Sequence, residues 1–471
     1  MEANTPDSTP IKAPSKAIAR WKSSRLKVLI VTDNPPATQR VLMDLRRIGL
    51  DVQLAAFDGK KLNSIPREAP GAVLCFFTDY IEKTKGVCDV LRQHFAPKTP
   101  PIIGALSRPS GIPTDHFGST IYAPMHSSQV ANRVDSMIRL GEMEVEITRR
   151  IETLRENFGQ DVDLSSEDLD RPFRILFIGK ATPGFMVIIN ALQSKNVEVV
   201  AAFTSFSAFD YLHDRQFDAV VMNALEQPEP ALTISETMRR NAKLYHVPTL
   251  FLIKPDEFEF SDAAYERGAR DLVSIDADLE EISGRILELA NYHRIHEQLK
   301  ISFGALGGKD CVDPETGVFN ADFLAAHMAR VVADCRLKDQ NLTMLAVRPI
   351  PNATVPIDAA YANAGIAKVG GMLKSLVRMQ DIIARVDEDT FLLAFTGATQ
   401  GIVEGILGRM TSLIDCAAFE TGNKTTPSFT FKLDAAVVED DGMTNSDFLI
   451  GRAISKIDGQ PEHFEPQSAT A

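Results

Sequence analysis

Cysteine is scarce in this chain, and the little there is forms no pattern. Cys75, Cys88, Cys311, Cys335 and Cys416 are odd in number and scattered, without one CxxC pair. A disulfide framework and a zinc ribbon both lack support, and buried free thiols are the reading that remains. The nine histidines form no HxxxH or HExxH cluster, so metalloprotease-type chemistry lacks its ligands and no metal is expected. No apolar run approaches the ~20 residues of a membrane span, and the polar N-terminus has no signal-peptide core. These absences predict a cytoplasmic protein without membrane insertion. A basic excess is missing too. The net charge of −13 argues against a DNA-binding output domain. Any anionic ligand must then be held by individually placed arginines.

What is present is ordinary in bulk and informative in order. A chain of 471 residues predicts three domains of about 150 residues each. Residues 1–25 are rich in Pro, Ser, Thr, Ala and Lys without an apolar period, so a disordered tail is expected there, and another at 459–471. From residue 26 the character changes. Apolar strands at 26–31, 52–55, 72–77 and 102–106 alternate with helical stretches, the pattern of a parallel sheet covered on both faces. The pattern recurs at 174–179, 197–202, 217–222, 248–253 and 269–273, a period of roughly 145 residues that marks a tandem duplication. The predicted layout is a first unit at 26–145, a helical connector at 146–170 and a second unit at 171–297. A linker at 298–312 and a third domain at 313–458 complete it.

The first unit carries Val31-Thr32-Asp33-Asn34-Pro35, and the second carries Phe217-Asp218-Ala219-Val220-Val221-Met222-Asn223 with Gly268-Ala269-Arg270-Asp271-Leu272. On these stretches both α/β units resemble response-regulator receiver domains, which implies a flavodoxin-like fold. Receiver phosphorylation needs an acceptor Asp, an acidic pair for Mg²⁺, and a balancing Lys. In the first unit Asp33 follows Thr32, the acceptor position falls on Phe76 or Phe77, the Lys position falls near Ala123, and Asp79 lies too far on. In the second the corresponding residues are Ile178-Gly179-Lys180, Asn223 and Ile275. No phosphoacceptor is expected in either unit. Asp33 reads as a loop cap, and both units read as pseudo-receivers used for dimerisation or docking.

The third domain opens on Asp313-Pro314-Glu315-Thr316-Gly317-Val318-Phe319-Asn320-Ala321-Asp322-Phe323-Leu324 and carries a hairpin at 382–395 near its centre. On these two stretches it resembles the GGDEF domains of diguanylate cyclases, which implies an α+β ferredoxin/cyclase-like fold. The resemblance implies Mg²⁺ bound by carboxylates on the strand 342–348 and at the hairpin turn. Here the strand's two acids are replaced by Ala346 and Arg348, and the turn's two glycines by Asp387 and Glu388. Asp389 persists, Thr390 stands for the next acid, and Lys456 is no clear phosphate ligand. Glycine lets a substrate approach the backbone, whereas Asp and Glu add bulk and repel a triphosphate. No catalytic residues and no cyclase activity are therefore expected.

Arg378 stands nine residues ahead of the Asp387 position, the spacing of the family's inhibitory cyclic di-GMP site, and Asp381 follows it three residues on. As a bare motif, Arg-x-x-Asp is weak, and it recurs at Arg215–Asp218 and Arg336–Asp339. On a helix such spacing makes a solvated pair worth only ~0.2–0.5 kcal/mol. An Arg fork matches guanine O6 and N7, and Asp can accept from guanine N1–H and the exocyclic amine. The resemblance implies a second arginine from the following helix, where Arg409 stands within 401–414, although a plain surface charge would look the same.

Taken whole, residues 26–458 resemble PleD/PopA-type response regulators, with two receivers ahead of a degenerate GGDEF domain. The resemblance implies a cyclic di-GMP effector, with no cofactor, that acts as a homodimeric adaptor for protein partners. Cell-cycle control and a polar position in the cytoplasm belong to that expectation. Two alternatives stay open: a residual or altered cyclase resting on Asp389, and a dimeric scaffold that needs no ligand.

Overall fold

The computed structural model describes residues 27–459 except 48, 58–61, 78–82, 97–98, 107–116, 123–124, 163, 165–170, 242, 255–260, 355 and 422–427. The expected tails lie outside the described residues, save Gly459. The chain forms two units, Met1–Ile138 with Asp168–His296, and Arg139–Glu167 with Glu297–Ala471. No helix among the described residues is long and apolar enough to cross a membrane.

The first unit holds two sheets. In the first, β1 (Lys27–Thr32), β2 (Asp51–Phe57), β4 (Ala72–Phe77), β5 (Ile102–Leu106) and β6 (Ser119–Tyr122) run parallel. Their order is β3-β2-β1-β4-β5-β6, with β3 (Leu62–Asn63) antiparallel on the edge. The second sheet, from β7 (Arg174–Ile178), β8 (Glu198–Ala202), β9 (Ala219–Asn223), β10 (Thr249–Ile253) and β11 (Asp271–Ser274), is ordered β11-β10-β9-β7-β8 and wholly parallel. Reversal of direction about the first strand is the doubly wound, flavodoxin-like order. The runs Ala72–Phe77 and Thr249–Ile253 are apolar without alternation because helices cover both faces.

A buried charge cluster joins elements of these two sheets. Asp271, 1% exposed, accepts from Arg285 Nη2 at 2.5 Å and Nε at 3.0 Å, and from Gln129 Nε2 at 2.6 Å. Arg133 pairs with Glu288 at 3.2 Å.

The second unit is built on one six-stranded sheet, ordered β12-β14-β15-β13-β17-β16, with β12 (Phe319–Asn320) and β16 (Phe419–Glu420) at its edges. The chain path is β13 (Leu342–Asn352), helix Ala359–Leu376, β14 (Ile382–Arg385), β15 (Phe391–Thr396), helix Gln400–Asp415 and β17 (Ser428–Glu439). That is a split βαββαβ, with β13 antiparallel to both β15 and β17. The two crossover helices pack on one sheet face around Phe391, Phe395 and Phe431, and helices Ala321–Leu337 and Ser446–Ile457 cover the other.

Local chemistry sets the entry to this domain. Asp313 Oδ1 accepts from Thr316 N at 2.9 Å and from Thr316 Oγ1 at 2.6 Å, and Gly317 follows at φ +69°. A left-handed residue closing that turn is what glycine permits. Asn320 then caps the helix by accepting from Phe323 N at 2.9 Å.

Helix Leu279–Ala305 runs into the expected linker at 298–312. Helix Ser127–Phe158 continues into the expected connector, and its residues from Arg139 belong to the second unit.

Candidate functional site

At the receiver-like positions the side chains face structural tasks. Phe77 is 2% exposed and stacks edge-on against Phe57, ring centres 6.1 Å apart. Thr32 is buried and accepts from Asn34 N at 3.1 Å. Asn223 donates to the Lys180 carbonyl at 2.9 Å and accepts from Leu225 N at 3.1 Å, while Lys180 pairs with Glu226 at 2.8 Å. Ile275 packs on the apolar core of its sheet. Ala123 and Asp79 lie outside the described residues.

In the second unit, the strand position Ala346 is fully buried, and Arg348 reaches the hairpin turn. Its Nε lies 3.4 Å from Asp389 Oδ1 and donates to Thr390 Oγ1 at 3.1 Å, while Nη2 donates to Asp458 Oδ1 at 2.7 Å. Thr390 Oγ1 also donates to Asp389 at 2.9 Å. A fixed guanidinium thus neutralises the carboxylate expected to ligate Mg²⁺, and the donor set does not fit a divalent cation. Among the described residues no group of three or more His, Cys, Asp or Glu could hold a metal. Lys456 donates to the Val437 carbonyl at 3.2 Å.

The residues Arg378 to Asp381 form a tight turn between the first crossover helix and β14. Asp381 N donates to the Arg378 carbonyl at 3.1 Å, and Asp381 Oδ2 accepts from Arg378 N at 2.9 Å. The side chain of Arg378 is exposed, whereas Asp381 is only 9% exposed. Burial raises the Asp381 carboxyl to about 7; the Arg378 charge and N–H oppose the shift, and Glu142 and Glu146 add to it. Arg409 is exposed on helix Gln400–Asp415, which packs beside helix Ala359–Leu376. Among the described residues no hydrogen bond or ion pair joins Arg409 to Arg378 or Asp381. The expected trio is thus two exposed cations on neighbouring elements and one largely buried carboxyl.

The other Arg-x-x-Asp pairs differ. Asp218 is bound by Arg171 at 2.8 Å and Arg294 at 3.0 Å, and Arg215 faces Glu198 at 3.8 Å. Arg336 pairs with Asp440 at 3.1 Å, and Asp339 N donates to the Arg336 carbonyl at 3.2 Å. At 378–381 the Asp carboxylate also accepts from the N–H of its own Arg.

Sequence reasoning missed the residues packed against this turn. Arg150 Nη2 donates to the Met379 carbonyl at 3.0 Å and the Asp381 carbonyl at 3.1 Å. Its Nε donates to Glu146 at 2.7 Å, which also receives Arg149 at 2.9 Å and His327 Nε2 at 3.1 Å. Burial alone would raise Glu146, but His327, Arg150 and Arg149 outweigh it and hold the carboxyl at about 2. Burial lowers the His327 pKa, and the ring lies between Glu146, 3.1 Å from Nε2, and Thr153 Oγ1, 2.8 Å from Nδ1. In sequence, Glu146, Arg149 and Arg150 have the spacing of a solvated ion-pair stripe, so no signal pointed to burial.

No protein-family model matches the chain, and no curated protein does. Solved structures similar to parts of it are GGDEF domains and receiver domains. The GGDEF domain of FimX from Pseudomonas aeruginosa is 23% identical at a TM-score of 0.27, covering 32% of this chain and 92% of that one. The GGDEF domain of DgcB from Caulobacter crescentus, solved in complex with c-di-GMP, is 13% identical at 0.27, covering 32% and 94%. A response regulator receiver protein from Pseudomonas putida is 21% identical at 0.22, covering 26% and 96%. The fold is defined by the strand orders and registers above.

Proposed function

We propose that the third domain binds cyclic di-GMP at the 378–381 turn and acts as a non-catalytic effector, relaying the ligand to protein partners as a homodimeric adaptor. The observation that carries this reading is the turn itself. Arg378 is exposed beside a carboxyl that its own backbone N–H holds. Arg378 would donate its fork to guanine, Asp381 would accept from the same base, and Arg409 would meet the second base or a phosphate. Arg348, seated on Asp389 and Asp458, supports the non-catalytic half of the reading. It also weighs against a residual cyclase, since metal would have to displace a bonded guanidinium.

Calorimetric titration with cyclic di-GMP tests the proposal. Wild-type protein should bind with micromolar Kd or tighter, roughly −8 kcal/mol. Arg378→Ala should weaken binding by about 1–3 kcal/mol, the worth of one bidentate base contact. Absence of heat with wild type leaves the ligand-free scaffold, and product formed from GTP with Mg²⁺ would restore the enzyme.

Asp381 should make this binding pH-dependent. Its carboxyl sits at about 7 without ligand, and guanine donors favour the anion. The bound-state pKa is therefore lower, binding releases a proton, and affinity rises with pH up to about 7 and levels off above it. The limiting slope is about tenfold per pH unit. Titrations at pH 6, 7 and 8 on wild type and Asp381→Asn check this: the variant should bind more weakly and show no slope. An equal slope in both would exclude Asp381 as the titrating acceptor.

A further inference from the structure

Helix Ser127–Phe158 meets the nucleotide-binding turn inside the second unit through one oriented side chain. Arg150 divides its guanidinium between the Glu146 carboxylate and the carbonyls of Met379 and Asp381, which bracket Gln380. Its central carbon lies 4.8 Å from the ring centre of Phe303 and 5.1 Å from that of Phe319. The side chains of Arg150 and Glu146 are 5% and 2% exposed. A planar fork bonded along two edges and flanked by two rings has one orientation open to it, so this contact is a specific one.

The trio's buried member lies in the turn that this contact holds. Asp381 is the acceptor a guanine edge requires, and it is the member of the trio that is not exposed. Gln380, 5% exposed, keeps its Nε2 buried without a hydrogen-bond partner among the described residues. An amide donor stranded inside the turn is a defect of the closed arrangement that opening would relieve.

We propose that residues 142–153 form a cover over the 378–381 turn, pinned by Arg150, and that this cover and cyclic di-GMP exclude one another. The inference rests on the binding reading above and adds its regulation. A ligand that binds only the uncovered state has its affinity reduced by the uncovered fraction, and its binding releases the helix segment. Helix release is then what a partner protein would sense.

The test uses the full chain, with calorimetry against cyclic di-GMP and hydrogen exchange of peptides spanning 142–153. Saturating ligand should speed exchange across that segment in wild type. Arg150→Ala should bind about tenfold more tightly than wild type. Arg150→Lys keeps the charge but cannot divide it between a carboxylate and two carbonyls, and should give a smaller gain. That second variant guards against misfolding of the first. Equal or weaker binding by both variants, with unchanged exchange in wild type, overturns the cover while leaving the binding site in place. No heat from wild type or either variant means that the binding reading has failed, and the cover falls with it.

Discussion

Glu146→Ala should lower the unfolding free energy of the second unit by about 3–5 kcal/mol, the range for breaking a buried ion pair from one side. The carboxylate is 2% exposed and receives Arg149, Arg150 and His327. Truncation leaves two guanidiniums, 8% and 5% exposed, without their shared counter-charge. Arg149 retains Asp334 at 3.0 Å, and Arg150 retains two carbonyls, which places the cost nearer the lower bound. Glu146→Gln keeps the shape and one acceptor, so it should cost less than the alanine variant. Urea unfolding of the full chain, followed by circular dichroism, reads both variants. A loss below about 1 kcal/mol for Glu146→Ala would mean that the cluster behaves like a solvated surface pair.

Asp271→Ala should cost the first unit about as much, again about 3–5 kcal/mol. Asp271 is 1% exposed and takes two bonds from Arg285 and one from Gln129. Arg285 would keep only Glu281 at 3.1 Å and the Leu272 carbonyl at 2.7 Å. Gln129 comes from a helix 142 positions earlier, so the loss should also loosen the packing of the two sheets within this unit. The same denaturation measurement, with tryptic cleavage near residues 127–138 as a local probe, reads the effect. Unchanged cleavage together with unchanged stability would show that Asp271 serves only its own strand end.

Much of the architecture was legible because its causes are local. The continuous apolar runs Ala72–Phe77 and Thr249–Ile253 allow only a strand buried on both faces. The Asp313–Gly317 turn follows from an Asp that can accept from Thr316 and a glycine free to adopt φ +69°. The hairpin expected at 382–395 ends one residue later, at Thr396, with Ile382–Arg385 paired antiparallel to Phe391–Ala394. The site was only half legible. Arg378 and Arg409 stand exposed on neighbouring elements, but burial of Asp381 depends on what packs over the turn, and spacing carries no trace of that.

By itself the sequence determined which elements form: two α/β sheets and an α+β domain. Those properties depend on residue identity and near-neighbour period. Only the tertiary structure decided where the charges find their partners. Arg348 lands on Asp458, and Arg150 lands on the Met379 and Asp381 carbonyls, across separations of 110, 229 and 231 residues. The physical reason is that a stripe such as Glu146, Arg149 and Arg150 has the same spacing whether water or protein surrounds it. Desolvation, which sets its energy and its grip on the turn, exists only once the distant elements have packed.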